Sequence, residues 1–152
     1  MRLRKIIIYT IVKLFVFVVL LGGHIDSATA AETVCTDSAQ QYWKAFRQAV
    51  LQGKLSVVAD LSRFPFELGG TLDNSERRHV LRKEFIRLFP SYLKADPGLS
   101  PAPTTMKSLL KVTAYLSPSF CNSYGNQFRV GTWVFELTPQ GWRFVQAFVD
   151  DQ

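Results

Sequence analysis

Apolar and polar positions near the end of the chain fall into two runs rich in β-branched and aromatic residues, 128–138 and 142–149, on either side of Pro139-Gln140-Gly141. This predicts a β-hairpin, with Pro139 at the second position of the turn and Gly141 at a left-handed position after it. In the second run Trp142, Phe144 and Phe148 alternate with Val145, Ala147 and Val149. Both faces of that strand are therefore apolar, and the hairpin is expected inside a sheet covered by helices. Gly131, between Val130 and Thr132, predicts a bulge that bends the first strand.

Upstream the period changes. Ala39, Tyr42, Trp43, Phe46, Ala49 and Val50 recur at three- and four-residue steps, predicting a helix with one buried stripe. Asp37 and Gln40 read as its capping box, and Gly53 as its end. A short helix over 55–61 follows, packed through Leu55, Val58 and Leu61. Phe64, Phe66 and Leu68 mark one side of a strand that Pro65 confines to an edge or to its first residues. After turn residues Gly69-Gly70 and Asp73-Asn74-Ser75, residues 77–81 return as its partner. Phe85, Leu88, Phe89, Tyr92 and Leu93 restore the helical period, with Pro90 predicting a kink or break after Phe89. Residues 95–103 carry three prolines and a glycine and read as a loop. Thr104 could cap a short helix through Met106, Leu109 and Leu110, although 110–116 fits a strand equally well.

The first thirty residues follow another logic. Arg2, Arg4 and Lys5 precede an apolar run over 6–21, and Ala28-Thr29-Ala30 presents small residues where a signal peptidase cuts. The reading is a secretory signal peptide, 1–30, ahead of a single domain, 31–152, with periplasmic or secreted residence. An uncleaved membrane anchor is disfavoured by Lys13, because a charge at the bilayer centre costs about 3 kcal/mol.

Removing Arg2, Arg4, Lys5, Lys13 and Asp26 takes the 18 basic and 12 acidic residues to 14 and 11, so +6 becomes +3. A nucleic-acid partner is not expected at that charge. Cys35 and Cys121 are expected to pair in an oxidising compartment. Closing so long a loop is worth on the order of 4–5 kcal/mol in the chain-entropy picture. The sharper alternative is a reactive thiol beside His79.

No motif fixes a reaction. His79 is the sole histidine beyond residue 30, so a histidine-rich metal site is not expected, and no cofactor is. As a general base it would need a carboxylate from Asp73, Glu76 or Glu84. Arg77, Arg78, His79, Arg82 and Arg87 form the one local charge concentration. They read either as a solvated face or as an interaction patch whose arginine forks take carboxylates or phosphates. Trp43, Trp133 and Trp142 are core, or else they line a pocket for an apolar ligand with Asp60, Tyr115 or Tyr124 as its polar group.

The order helix, short helix, hairpin, helix and final strands, with Tyr42-Trp43-Lys44-Ala45-Phe46-Arg47, Phe64-Pro65-Phe66 and the closing Phe135-Glu136-Leu137-Thr138 and Gly141-Trp142-Arg143-Phe144 hairpin, resembles the nuclear transport factor 2-like superfamily. That superfamily includes ketosteroid isomerases and polyketide cyclases. The resemblance implies an α+β fold: a cone-like curved antiparallel sheet packed on three or so N-terminal and central helices, with a pocket at the open end. It transfers no catalytic residue to a position here. The expected function is a noncatalytic periplasmic binding or protein-interaction domain, with an immunity-type protein that neutralises a secreted toxin as one variant. The alternative is a small-molecule isomerase, lyase or cyclase using a pocket carboxylate. Expected partners are a protein or small apolar ligand in the periplasm, with homodimerisation open and no stable membrane anchor after cleavage.

Overall fold

The computed structural model describes residues 35–70, 76–98 and 101–149. The expected signal peptide, 1–30, and the turn Asp73-Asn74-Ser75 lie outside the described residues. The fold is α+β. Helices α1 (Asp37–Leu51) and α2 (Leu55–Asp60) lead into strands β1 (Ser62–Gly69) and β2 (Arg78–Val80). Helices α3 (Arg82–Tyr92) and α4 (Met106–Val112) and a 3-10 turn (Pro118–Phe120) follow, then β3 (Gln127–Val130), β4 (Trp133–Thr138) and β5 (Gly141–Phe148).

The sheet runs β2-β1-β5-β4-β3. It is mixed, not antiparallel, because β1 pairs in parallel with β5 while the other neighbours are antiparallel. That places β1 inside the sheet rather than at its edge, although Pro65, in the first half of β1, precedes the first β1–β2 pair, Phe66↔Val80. Proline is tolerated there because the β1–β5 register breaks between Ser62 and Glu67, where no ladder bond needs its missing N–H.

Two corrections concern the closing strands. Gly131 is not a bulge: Val130 pairs with Trp133, so Gly131-Thr132 is a two-residue hairpin turn with Gly131 at φ +56°. The bulge lies instead at Val145, the extra residue where the β4–β5 register steps from Val134↔Gln146 to Phe135↔Phe144. An extra residue exchanges the two faces of a strand. Trp142 and Phe144 therefore share the core with Ala147, while Phe148 emerges on the opposite face beneath the Arg129 guanidinium, 4.8 Å from its ring centroid.

The core lies between the helices and one face of this sheet. Phe46 of α1 meets Phe135, Phe144 and Trp133 edge-on at 5.1, 5.2 and 6.0 Å. Phe85 and Phe89 of α3 meet Phe66 and Trp133 at 4.8 and 5.5 Å. Interlocked rings thus fill the space between the helices and the sheet, as the core reading of these aromatics expects. Helices on both faces were also expected. The opposite face instead buries Val134 and Val145 among polar side chains, with Arg63 paired to Glu136 and Gln146 bonded to Glu67.

Local signals differ from expectation in three further places. The N-cap of α1 is Thr36, which accepts from the Ala39 N–H; Asp37 occupies the first turn, and Gln40 bridges instead to Leu116, donating to its carbonyl at 2.8 Å and accepting from its N–H at 3.0 Å. Helix α3 continues through Pro90 to Tyr92; so close to the helix end the ring removes a single bond, and Pro90 itself is exposed. Thr105, not Thr104, caps α4 in a reciprocal box with Ser108, which settles 106–112 as helix. Gly53, at φ +68°, ends α1 as expected.

Candidate functional site

Of the residues read as core or pocket lining, the tryptophans join one core cluster and the polar candidates lie apart from it. Trp43, Trp133 and Trp142 are all buried in the core. The Trp43 indole donates to the Thr113 carbonyl at 3.0 Å and that of Trp142 to the Ser38 hydroxyl at 3.1 Å, while Trp133 Nε1 has no partner. Asp60 is exposed and paired with Arg82 at 2.7 Å. Tyr115 and Tyr124 are 81% and 86% exposed. Large flat indoles gain most by full burial, and the polar members lie on surface segments.

Cys35 and Cys121 form the expected disulfide, and no described cysteine is free. Cys35 lies immediately before α1, and Cys121 bridges to Phe128 on β3. The bond therefore ties the start of the described chain to the sheet edge.

The arginine patch is formed, and it is already paired. Arg77 meets Glu67 at 3.0 Å, Arg78 meets Glu84, Arg82 meets Asp60 at 2.7 Å, and Arg87 reaches Glu84 at 3.6 Å. All four arginines and His79 are exposed, on the edge strand β2 and the first turns of α3. His79 stands across from Glu67 in the β1–β2 ladder. Exposed ion pairs of this kind contribute about 0–1 kcal/mol each, so a partner's carboxylates could replace them.

Two tyrosine hydroxyls, of the partly buried Tyr42 and the buried Tyr92, are held neutral by their surroundings. Burial holds the Tyr42 hydroxyl in its neutral form well above the ordinary phenol range, and that hydroxyl donates to the Leu61 carbonyl at 2.8 Å. Burial likewise pushes Tyr92 up to about 12, although its hydroxyl has no partner. Neither ionises at neutral pH. Among the described residues no three His, Cys, Asp or Glu side chains converge as metal ligands, and no helix is long and apolar enough to cross a membrane.

A cavity that the sequence did not announce opens beside the β3–β4 turn, with a volume of about 380 Å³. Pro97 and Gly98 of the loop after α3, Leu109 of α4, and Phe120 form its walls. Arg129, Gly131, Thr132 and Ser119 complete the lining, which includes no carboxylate and no histidine. The only sequence signals were the proline-rich loop and Gly131, whose meeting in space depends on where α4 packs.

No family model matches the chain, and no curated protein or solved structure matches it.

Proposed function

We propose that this chain is an exported, noncatalytic binding or protein-interaction domain on the nuclear transport factor 2-like plan, whose β2–α3 face docks an acidic partner protein. An immunity-type role against a secreted toxin is one form of that function. The element order supports the family reading. The Val145 bulge and the broken β1 register are devices by which such a sheet would curve into a cone.

One observation carries the noncatalytic part. Where an enzyme of this plan would hold its pocket, rings from α1, α3 and the sheet pack against one another, with Phe46, Phe66, Phe85, Phe89, Phe135 and Phe144 fully buried. Among the described residues no Asp, Glu or His is buried with them. His79, the candidate general base of the sequence reading, and Asp60, the candidate pocket carboxylate, are both exposed. An isomerase, lyase or cyclase would need a carboxylate facing a cavity, and nothing in the described residues favours it.

The face itself supports docking. β2 has only three residues and stands at the edge of the described sheet, and Arg77 just before it, Arg78 within it and Arg87 of α3 have side-chain exposures of 60–69%. The immobilised protein is expected to capture a specific protein from envelope extract at low salt and to release it at high salt. Charge reversal at Arg78→Glu with Arg87→Glu is expected to abolish that capture. Failure to recover a specific protein at low salt, or undiminished capture by the reversed variant, would count decisively against this docking face.

A further inference from the structure

We propose that the cavity beside the β3–β4 turn binds a small carboxylate with an apolar tail, the anion held by Arg129 and Thr132 and the tail lying against Pro97, Leu109 and Phe120. This goes beyond protein docking. The cavity lies by β3, at the opposite edge of the sheet from β2, so the two readings stand or fall separately.

Thr132 gives the first indication. It is only 6% exposed, it lines the cavity, and its hydroxyl has no hydrogen-bond partner. Buried polar groups are nearly always satisfied, so this hydroxyl is an exception; with under 1 Å² of accessible surface it would meet a ligand oxygen only after its side chain turns toward the cavity, a rotation that breaks no hydrogen bond.

Arg129 supplies the charge. Arg63, Arg77, Arg78, Arg82 and Arg87 each face a carboxylate, whereas Arg47, Arg129 and Arg143 have none among the described residues, and of these three only Arg129 lines the cavity. Its Nε donates to the Gly131 carbonyl at 3.1 Å, and its guanidinium rests on the Phe148 ring. These two contacts hold the group beside the cavity wall and leave its terminal nitrogens without described partners. A guanidinium with both ends open presents the fork that a carboxylate fits.

The surroundings suit an anion with a short hydrocarbon part. Asp96, the carboxylate next in sequence to Pro97, already accepts the Gly98 N–H at 2.8 Å. The Ser119 hydroxyl donates to that of Ser117 at 3.1 Å. The Gly131 turn is packed tightly: a Cβ there would come within 2.8 Å of both Leu109 Cδ2 and Met106 Sδ and 3.1 Å of Pro97 Cβ. At about 380 Å³ the cavity stands at the small end of the range for ligand sites, which excludes long acyl chains.

The test is titration of the full chain with hexanoate and, separately, with uncharged hexanamide, followed by backbone amide NMR. Hexanoate is expected to shift Gly98, Gly131 and Thr132 saturably and to bind on the order of ten-fold more tightly than the amide, as a charge-assisted pair requires. Arg129→Gln should bring hexanoate to the level of the amide. Thr132→Val should weaken hexanoate several-fold while leaving the melting temperature of the free protein unchanged or higher, since the hydroxyl has no partner to lose. The proposal is overturned by the absence of saturable shifts, by equal binding of acid and amide, or by unchanged hexanoate affinity in either folded variant. If Arg129→Gln does not fold, Thr132→Val decides.

Discussion

Replacing both bonded cysteines, Cys35→Ala with Cys121→Ala, tests how the domain holds its first helix. The bond spans a sequence separation of 86, and a loop of that size removes about 4–5 kcal/mol of chain entropy from the unfolded state. The measured loss should be smaller, because an unfolded chain without the cross-link is still more compact than a random coil; other native contacts bear on whether the variant folds. Gln40 makes two bonds to the Leu116 backbone, Trp43 Nε1 donates to the Thr113 carbonyl, and Arg47 donates to the carbonyls of Leu110 and Lys111 at 2.6 and 2.9 Å. These contacts keep α1 in place without the disulfide, so the variant is expected to fold and to lose about 2–4 kcal/mol. For a domain of this size that is a fall in melting temperature on the order of 10 °C. Urea unfolding followed by tryptophan fluorescence reads both quantities. It also reads the cause: an unfolded chain freed of its cross-link exposes more surface, so the dependence of stability on urea should steepen. A loss below about 1 kcal/mol with an unchanged slope would refute the entropic account. Two free thiols in the denatured, unreduced wild type would remove the bond itself and, with it, the case for an oxidising compartment.

Two further substitutions test the core and the turn. The unfolded phenol of Tyr92 ionises near pH 10, but the buried one only near 12, so the unfolded state binds fewer protons over that window and stability falls as pH rises. Tyr92→Phe should flatten that alkaline loss without abolishing it, Tyr42 remaining, and should raise stability at pH 7 by about 1 kcal/mol because an unpartnered hydroxyl is removed. Urea midpoints at pH 7, 9 and 11 measure both effects, and an unchanged alkaline slope would contradict the first. Gly131→Ala should cost about 2–4 kcal/mol, combining a left-handed backbone with a Cβ forced against Leu109, Met106 and Pro97, where Pro97 Cβ at 3.1 Å cannot rotate away. Thermal melts decide it, and a loss under 1 kcal/mol would mean that the turn readily relaxes.

What was legible in the sequence was local. The stripe Trp43, Phe46, Ala49 and Val50 fixes its helix because 3.6-residue periodicity survives any tertiary arrangement, and Gly53 ends it for reasons within one turn. The parallel pairing of β1 with β5 is of another kind: nothing near Phe66 or Phe144 states which strand lies beside it. Gly131 shows the boundary between the two. A glycine at positive φ serves a bulge and a two-residue turn equally well, and only the pairing of Val130 with Trp133 distinguishes them. The phase change at Val145 is hidden by composition. Valine and alanine are acceptable on either face, so the alternation from Trp142 to Val149 reads as continuous although an extra residue interrupts it. Candidate site residues suffered most. Residue type marked the three tryptophans as candidates, whereas burial, which sequence shows only indirectly, decided that they are core.

The same packing determines where binding can reside. An acid or base inside the ring cluster would have to displace an aromatic side chain and stand unsolvated, and an isolated buried charge is stabilised only by a partner and hydrogen bonds that this interior does not contain. The described groups that remain open to a partner or ligand therefore lie where secondary structure ends. At one sheet edge the β2–α3 face presents arginines held only by exposed ion pairs. By β3, at the other edge, three segments distant in sequence (the loop at Pro97, α4 at Leu109, and the turn at Gly131) enclose space that no side chain fills. The fold can tolerate a hollow there because none of the large aromatic core residues contributes to that wall except the partly buried Phe120. Stability resides in the interlocked rings, and the chemistry available for recognition lies at the two edges of the sheet that those rings support.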